Sequence, residues 1–277
     1  MHRILTFCMN TNIFVSLASF SLYKVTEILF NFQDTNLGLF IFFSTLFAYN
    51  YMRTPLFLNR DVSNSNFTWN QNHKNSIQII FFISGCMMLY LICLLGFKFV
   101  KLISPAIIIS LLYPLSIKIS TQEYSIRRIP FLKIFLISMT WSYITFLVPL
   151  LYYDFEINYF LLDFLFQRVL FIIAISIPFD MRDCDYDHIK TIPNTIGIYQ
   201  SKLFAWFCLF MIDMLLIIDL INNTITVPVF VALFLCIEIC SVLIYFSNNN
   251  RSQMFYGILV ESLSIIMCLF VLIASFF

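Results

Sequence analysis

The segment IPFDMRDCDYDHIKTIP, residues 177–193, follows a long apolar run and carries four aspartates within eight positions. At about 100° per residue, Asp180, Asp183 and Asp187 lie within roughly 60° of one another on a helix. Arg182 and Asp185 point elsewhere. Carboxylates on one face can converge on a hard cation such as Mg²⁺, which takes carboxylates together with substrate phosphates and water. The segment therefore predicts a magnesium site for an anionic diphosphate, and a solvated polar loop is the alternative.

Two further residues of this segment, Cys184 and His188, allow zinc as a second interpretation. Ligation dominated by aspartate suits Mg²⁺ better than zinc, which prefers thiolate and imidazole ligands. The other cysteines lie mainly within apolar stretches, and no CxxC pattern occurs. We interpret them as small apolar packing residues.

The composition of the chain is that of a membrane protein. Of its 277 residues, 61% are hydrophobic and 11% are charged, whereas a soluble domain carries about 25% charged residues. The mean hydropathy is +0.89 and the formal net charge is +1. These values exclude an ordinary soluble domain, and the sequence contains no basic patch large enough to support a nucleic-acid role.

Apolar runs long enough to cross a bilayer predict an all-α polytopic bundle of about nine transmembrane helices. No convincing internal repeat and no Pro-rich or Ser-rich linker divides the chain, so residues 1–277 are predicted to form one transmembrane domain. The stretch after His2 and Arg3 is interrupted by polar residues and is interpreted as the first span, not as a signal peptide. The predicted spans are at about 9–30, 36–52, 77–97, 99–117, 131–152, 158–179, 202–221, 225–246 and 254–276.

Basic residues collect in alternate connections between the predicted spans. By the positive-inside rule, this distribution places the N-terminus and the Asp-rich segment in the cytoplasm and the C-terminus outside. The alternation also favours an odd number of spans. The cytoplasmic connections carry Arg53, Arg60, Lys74, Lys118, Arg127, Arg128, Lys133, Arg182, Lys190, Lys202 and Arg251. The others carry mainly Asp34, Asp154, Glu156 and Asp219, with Lys98 and Lys101 as exceptions.

Three segments of the chain resemble UbiA-type intramembrane prenyltransferases. The stretch from Pro178 to Pro193, which ends in TIP, resembles the second Asp-rich motif of that family. YPLSIK, from Tyr113 to Lys118, resembles the segment after the family's fourth helix, and RRIPFLKIFLISMTW, residues 127–141, resembles the opening of its fifth. With about nine predicted spans and an aspartate motif after the sixth, the resemblance extends through most of the chain.

The resemblance implies a chemistry and a set of site residues. Members of the family ionise a polyprenyl diphosphate with Mg²⁺ and transfer the allylic cation to an aromatic or other lipophilic acceptor. It implies that Asp180, Asp183 and Asp187 are the catalytic metal ligands. The candidates for binding the phosphate end of the substrate are Asn50, Arg53, Tyr113, Lys118, Arg182 and Lys190.

The first Asp-rich motif of the family is altered in this chain. The family pattern NxxxDxxxD begins here with Asn50, but Thr54 and Leu58 occupy the two aspartate positions. Arg53 adds a cation, which holds a phosphate directly but does not bind Mg²⁺. Cations can do part of a metal's electrostatic work on a diphosphate. The alternative is a catalytically inactive scaffold for a lipid or protein partner, because loss of one strong stabiliser costs about 10²–10³ in rate.

Ionisable residues within the apolar runs allow a membrane transporter as a further alternative. Asp213, Glu238 and Glu261 are the carboxylates that such a protein would use. The chain has only five glycines with which to break helices, and its densest acidic cluster is at the end of a span. Both observations disfavour transport.

Three more ionisable residues lie within predicted spans, where an unpaired charge costs a few kcal/mol or more. Lys24 and Glu27 are three residues apart and are predicted to pair on the first span, either as a structural pair or lining a pocket. Arg168 lies about 18 Å from Asp180 along the sixth span, too far to share one diphosphate. We expect Arg168 to support packing.

Overall fold

The computed structural model describes residues 2–53, 69, 73–113, 116–119, 122–125, 131–184 and 191–277. The elements in order are α1 (His2–Asn10), α2 (Ile13–Leu29), α3 (Thr35–Arg53), α4 (Lys74–Leu112), β1 (Ser116–Ile119), β2 (Gln122–Ser125), α5 (Leu132–Ser142), a π-helical turn (Tyr143–Leu147), α6 (Val148–Tyr152), α7 (Tyr159–Asp183), α8 (Ile192–Ile196), α9 (Ile198–Ile221), α10 (Val227–Phe246), a second π-helical turn (Phe255–Val260) and α11 (Leu263–Ala274). The two strands pair antiparallel. The predicted all-α class is confirmed, with this hairpin as the departure from it in the described residues.

The predicted spans correspond to these helices. Within the described residues, six helices are long and apolar enough to cross a membrane, or seven if α1 and α2 count as one bent span. α3 coincides with the second predicted span although it is not among the six. α4 covers both the third and the fourth predicted span. Its 39 residues would extend about 58 Å as a straight helix, which is about twice the hydrocarbon thickness of about 30 Å. The prediction of an integral, multi-pass membrane protein is confirmed.

α4 is divided at Gly96, where φ is 78° and ψ is −176°. This backbone conformation is open essentially only to glycine. The break lies just before Lys98, in the region predicted to separate the third and fourth spans. Lys98 Nζ lies 2.8 and 2.7 Å from the carboxylate oxygens of Asp154 and donates to the carbonyl oxygen of Tyr152 at 2.7 Å. The break in α4 is therefore tied to the segment that follows α6.

Apolar side chains cover the outer surface of the bundle. Phe82, Phe97 and Ile221 expose 71%, 72% and 71% of their surface. An apolar surface of this kind is stable in contact with lipid. The helices form the hydrogen bonds of their own backbone groups, which lipid cannot provide. α7 is the central helix, because 61% of its most apolar stretch is buried, against 22–44% for the other candidate spans.

α1 and α2 meet at an angle of 73°, and an asparagine of α3 closes the bend. Asn12, between the two helices, has a left-handed φ of 64°. The Nδ2 of Asn50 donates to the carbonyl oxygens of Thr11 at 3.1 Å and Leu46 at 2.8 Å, and its Oδ1 accepts from Asn12 Nδ2 at 3.1 Å. A helix break inside a membrane would otherwise leave backbone groups without partners. The Asn50 amide therefore has a structural role.

Contacts between helices define two ends of the bundle. At the end where α7 terminates, which we call the site end, a side chain on Gly257 would lie 2.5 Å from Met9 Cγ, so α1 packs against the second π-helical turn. At the other end, the hydroxyls of Tyr153 and Tyr23 donate to the carboxylate and the carbonyl oxygen of Asp34 at 2.9 and 2.8 Å. Burial and the hydrogen bond to Asp34 raise the pKa of Tyr153. The cytoplasmic location of the site end stays a prediction.

Replacing Gly96 by alanine is expected to lower the unfolding midpoint of the detergent-solubilised protein, measured by scanning fluorimetry. A side chain in this conformation costs on the order of 1–3 kcal/mol, although no atom lies within 4 Å of the place that Cβ would take. The loss would therefore come from backbone strain. Leu94→Ala, at a 53% exposed position, is the control and is expected to change the midpoint little. Equal midpoints for Gly96→Ala and wild type would contradict the strain argument.

Candidate functional site

The described aspartates of the Asp-rich segment lie in the last turn of α7. Asp180 is 3% exposed, whereas the side chain of Asp183 keeps 35% of its surface accessible. Because they are three residues apart, they lie on one side of the helix. One carboxylate is thus inside the bundle and the other is at its mouth. Asp187, the third predicted ligand, lies outside the described residues.

Asp180 pairs with a lysine from another helix. Lys133, in the first turn of α5, places Nζ 2.6 Å from Asp180 Oδ1. The two side chains are largely buried, with 15% and 4% of their surface exposed. Each charge would cost several kcal/mol in this surrounding without an opposite charge beside it. The ion pair therefore allows both groups to stay charged within the bundle.

Asp183 forms an ion pair with Arg182, the preceding residue of the helix. The Nε and Nη2 atoms of Arg182 lie 2.7 and 3.0 Å from the two carboxylate oxygens of Asp183. The guanidinium also lies 5.5 Å from the ring centre of Phe179 and 5.8 Å from that of Tyr256, at the start of the last span. Bidentate pairing and contact with aromatic faces both suit this planar group. The helix directs Arg182 about 100° away from Asp183, and the long side chain bends back to reach it.

This carboxylate pair requires nearby cations. The C-terminal end of a helix carries about half a negative charge, which is unfavourable for aspartates in the last turn. Lys133 and Arg182 each bring a positive charge to one of the carboxylates. Glu261, in the last span, adds a negative charge close to Arg182. The result is a cluster of oxygen ligands and fixed cations at the site end.

The other predicted site residues are distributed differently. Asn50 lies at the site end with its amide engaged in the α1–α2 bend, and its role towards substrate stays a prediction. Tyr113, after the end of α4, lines an apolar cleft with Leu112 and Leu136. The side chains of Arg53 and Lys118 lie outside the described residues, as do Asp187, Lys190, Thr54, Leu58, Asp185 and His188.

Lys133 is not among the residues that the sequence predicts for the site. It lies within RRIPFLKIF, at the opening of the fifth predicted span, and its partner Asp180 is 47 positions away. No periodicity links two residues so far apart. The available signal is a lysine close to an apolar run, because a cation at membrane depth requires a carboxylate or another acceptor.

The carboxylates of the transporter alternative do not form one cluster. Asp213 of α9 and Glu238 of α10 are close enough to interact electrostatically, and Glu238 is exposed on the outside of α10. Glu261 is instead near Arg182 at the site end. Within the described residues, no three His, Cys, Asp or Glu side chains are close enough together to hold a metal ion.

Asp180 and Asp183 fit Mg²⁺ in ligand type and number. Mg²⁺ usually keeps several waters and takes one or two carboxylates together with substrate phosphates. Both aspartates carry a protein cation in this structure, so a metal ion would compete with Lys133 and Arg182 for the same oxygens. Those two cations would then be available to an anionic substrate.

Two solved structures share this fold. A UbiA homolog from Aeropyrum pernix K1, in its apo form, matches with a TM-score of 0.66 at 14% identity, over 94% of this chain and 98% of that one. A structure described as that of digeranylgeranylglyceryl phosphate synthase in membranes matches with a TM-score of 0.57 at 14% identity, over 99% and 98%. No family model and no curated protein sequence matches the chain. The protein is an intramembrane helical bundle. Its fold is the UbiA fold, as the sequence resemblance predicts.

Replacing Lys133 by methionine is expected to lower the unfolding midpoint strongly, because it takes the lysine cation away from a buried carboxylate. Breaking a buried ion pair from one side costs about 3–5 kcal/mol. The double variant Lys133→Met, Asp180→Leu is expected to recover most of the loss, since removing both charges of a buried pair is close to neutral.

The control for this cycle is Lys101→Met, which removes the same charge at an exposed position. Midpoints are measured in detergent with EDTA, so that no divalent metal takes the place of the lysine. A double variant as unstable as Lys133→Met alone would show that the ion pair is not the source of the loss.

Proposed function

We propose that the protein is a UbiA-like prenyltransferase that moves a polyprenyl group from its diphosphate to an aromatic or lipophilic acceptor with the help of Mg²⁺. The observation that carries the proposal is the position of Asp180 and Asp183 at the end of the central helix of a bundle with the UbiA fold. A protein with the same fold is described as digeranylgeranylglyceryl phosphate synthase. The surrounding bilayer is the source of long-chain lipophilic substrates.

The reaction determines what the site residues must do. The bond between the first prenyl carbon and the diphosphate oxygen breaks, and its electron pair leaves with the diphosphate. The acceptor supplies the electron pair of the new bond and afterwards loses a proton to water. Charge develops on the leaving diphosphate, so fixed positive groups beside it contribute most to the rate. Mg²⁺ supplies such charge when bound to Asp180, Asp183 and Asp187.

Protein cations make up for the altered first motif. Thr54 and Leu58 offer no carboxylate, so a second metal ion lacks its usual ligands. Lys133 and Arg182 pair with the aspartates in this structure. With metal and diphosphate bound, they would be available to contact the phosphate oxygens, which ammonium and guanidinium groups bind directly. Further candidates at the phosphate end are Asn50, Arg53, Tyr113, Lys118 and Lys190.

The test is the binding of a labelled geranylgeranyl diphosphate analogue, non-hydrolysable at the leaving oxygen, to purified protein with and without Mg²⁺. Asp183→Asn is expected to weaken the Mg²⁺-dependent binding about tenfold or more, because it removes a charged metal ligand at a position exposed enough to tolerate the change. Asp154→Asn, an exposed aspartate at the other end of the bundle, is the matched control and is expected to bind as wild type does. Binding that is the same with and without Mg²⁺, and the same in wild type and in Asp183→Asn, would refute the proposal.

The ion pairs at the site also favour a second candidate, a catalytically inactive scaffold that holds a lipid or a protein partner. Aspartates that already have protein cations beside them do not require a metal for stability. Analogue binding that is unchanged in EDTA, with no prenyl transfer to a panel of quinol and phenol acceptors, would support the scaffold. Mg²⁺-dependent binding together with transfer would support the enzyme.

A further inference from the structure

A cavity inside the bundle is lined by a buried arginine. The cavity lies between α2, α7, α9, α10 and α11 and has about 400 Å³ of empty space, counting the part that opens outwards. Its polar lining residues are Gln167 and Arg168, adjacent in α7, and its apolar walls include Phe171, Leu216 and Ile237. Arg168 is only 6% exposed. A permanent positive charge is therefore enclosed in apolar surroundings.

The protein uses one side of the Arg168 guanidinium. Nη1 donates to the carbonyl oxygen of Leu22 in α2 at 2.8 Å. Among the described residues, Nε and Nη2 have no acceptor, and Arg168 forms no ion pair. A guanidinium has five N–H donors, so most of its capacity is unused.

Three carboxylates of the helices around the cavity, in α2, α7 and α9, have other partners. Glu27 of α2 pairs with Lys24 and accepts a hydrogen bond from the backbone N–H of Asp34 at 2.7 Å. Asp163 and Asp219 accept from the Nε2 of Gln167 at 2.7 and 2.8 Å. These acids are held by other donors and, among the described residues, form no ion pair with Arg168, so an anion from outside would stabilise its buried charge.

The pairing of Arg182 with Asp183 shows which group would fit the unused nitrogens of Arg168. In Arg182 the Nε and Nη2 atoms bind the two oxygens of the Asp183 carboxylate at 2.7 and 3.0 Å. In Arg168 this same pair of nitrogens lacks an acceptor. We propose that Arg168 binds the carboxylate of an amphiphile whose apolar body lies along the cavity walls.

Charge favours a carboxylate over a phosphate. One guanidinium neutralises one negative charge, and a phosphate dianion would leave a buried charge uncompensated. Apolar walls suit an alkyl or aryl body.

This site is separate from the diphosphate site. Arg168 and Asp180 are about 18 Å apart along α7, so one phosphate group cannot contact both. The inference concerns binding alone, and it holds whether or not the protein transfers prenyl groups.

The test uses full-length protein in a non-ionic detergent and tritiated oleate, with oleyl alcohol as a neutral competitor of the same chain length. Wild-type protein is expected to prefer oleate about tenfold or more, because a charge-assisted bidentate pair is available to the carboxylate alone. Arg168→Gln is expected to lose this preference while it still binds the alcohol. Arg251→Gln, which removes an exposed arginine after α10, is the matched control and should keep the preference.

Leu233→Phe, which narrows the cavity and leaves Arg168 in place, keeps the test decisive if the Arg168 variant does not fold. It is expected to weaken the binding of both lipids. Equal affinity of wild type for oleate and oleyl alcohol, or unchanged oleate binding by Arg168→Gln or by Leu233→Phe, would overturn the proposal. Complete displacement of oleate when gluconate is replaced by chloride would also overturn it, since the occupant would then be an inorganic anion.

Discussion

A charge inside a lipid bilayer requires a counter-charge or strong dipoles beside it, and this constraint organises the structure. Hydrocarbon offers neither water nor ions, so each enclosed ionic group is stable only beside an opposite charge or a set of strong dipoles. Lys24 and Glu27 pair within α2, Lys133 reaches Asp180 between α5 and α7, and Arg182 folds back onto Asp183. The Lys133–Asp180 pair connects two helices and so helps to fix how α5 and α7 pack, whereas the other two pairs neutralise charges within one helix.

α7 concentrates the functional chemistry because it is the central helix. It carries an anionic end at Asp180 and Asp183 and a cationic middle at Arg168, about 18 Å apart. Its position inside the ring of other spans brings side chains from several helices to both places. A site built on the most buried helix is held rigidly, which suits groups that must keep their geometry while a flexible lipid enters and leaves.

Much of this organisation can be predicted from the sequence. Hydropathy locates the spans, the i, i+3 spacing of Lys24 and Glu27 predicts their pairing, and the Asp-rich segment identifies the end of the sixth span. Periodicity cannot predict contacts between distant positions, which is why the pairing of Lys133 with Asp180 and the contacts of the Asn50 amide at the bend between α1 and α2 are not predicted. The sequence places Arg168 within the sixth span, but the direction of its guanidinium depends on how five helices pack around it.

The second π-helical turn affects how the last span can be compared with other chains. A turn of this kind holds one residue more than an α-helical turn, so the helix beyond it is rotated by about 100° relative to an unbroken one. The side that presents Tyr256 to Arg182 and the side that presents Met267 to the cavity are therefore set separately. A related chain without the extra residue would keep the same hydropathy profile and differ in which side chains face inwards. Alignment of this span with such a chain would require a single-residue gap inside a transmembrane helix.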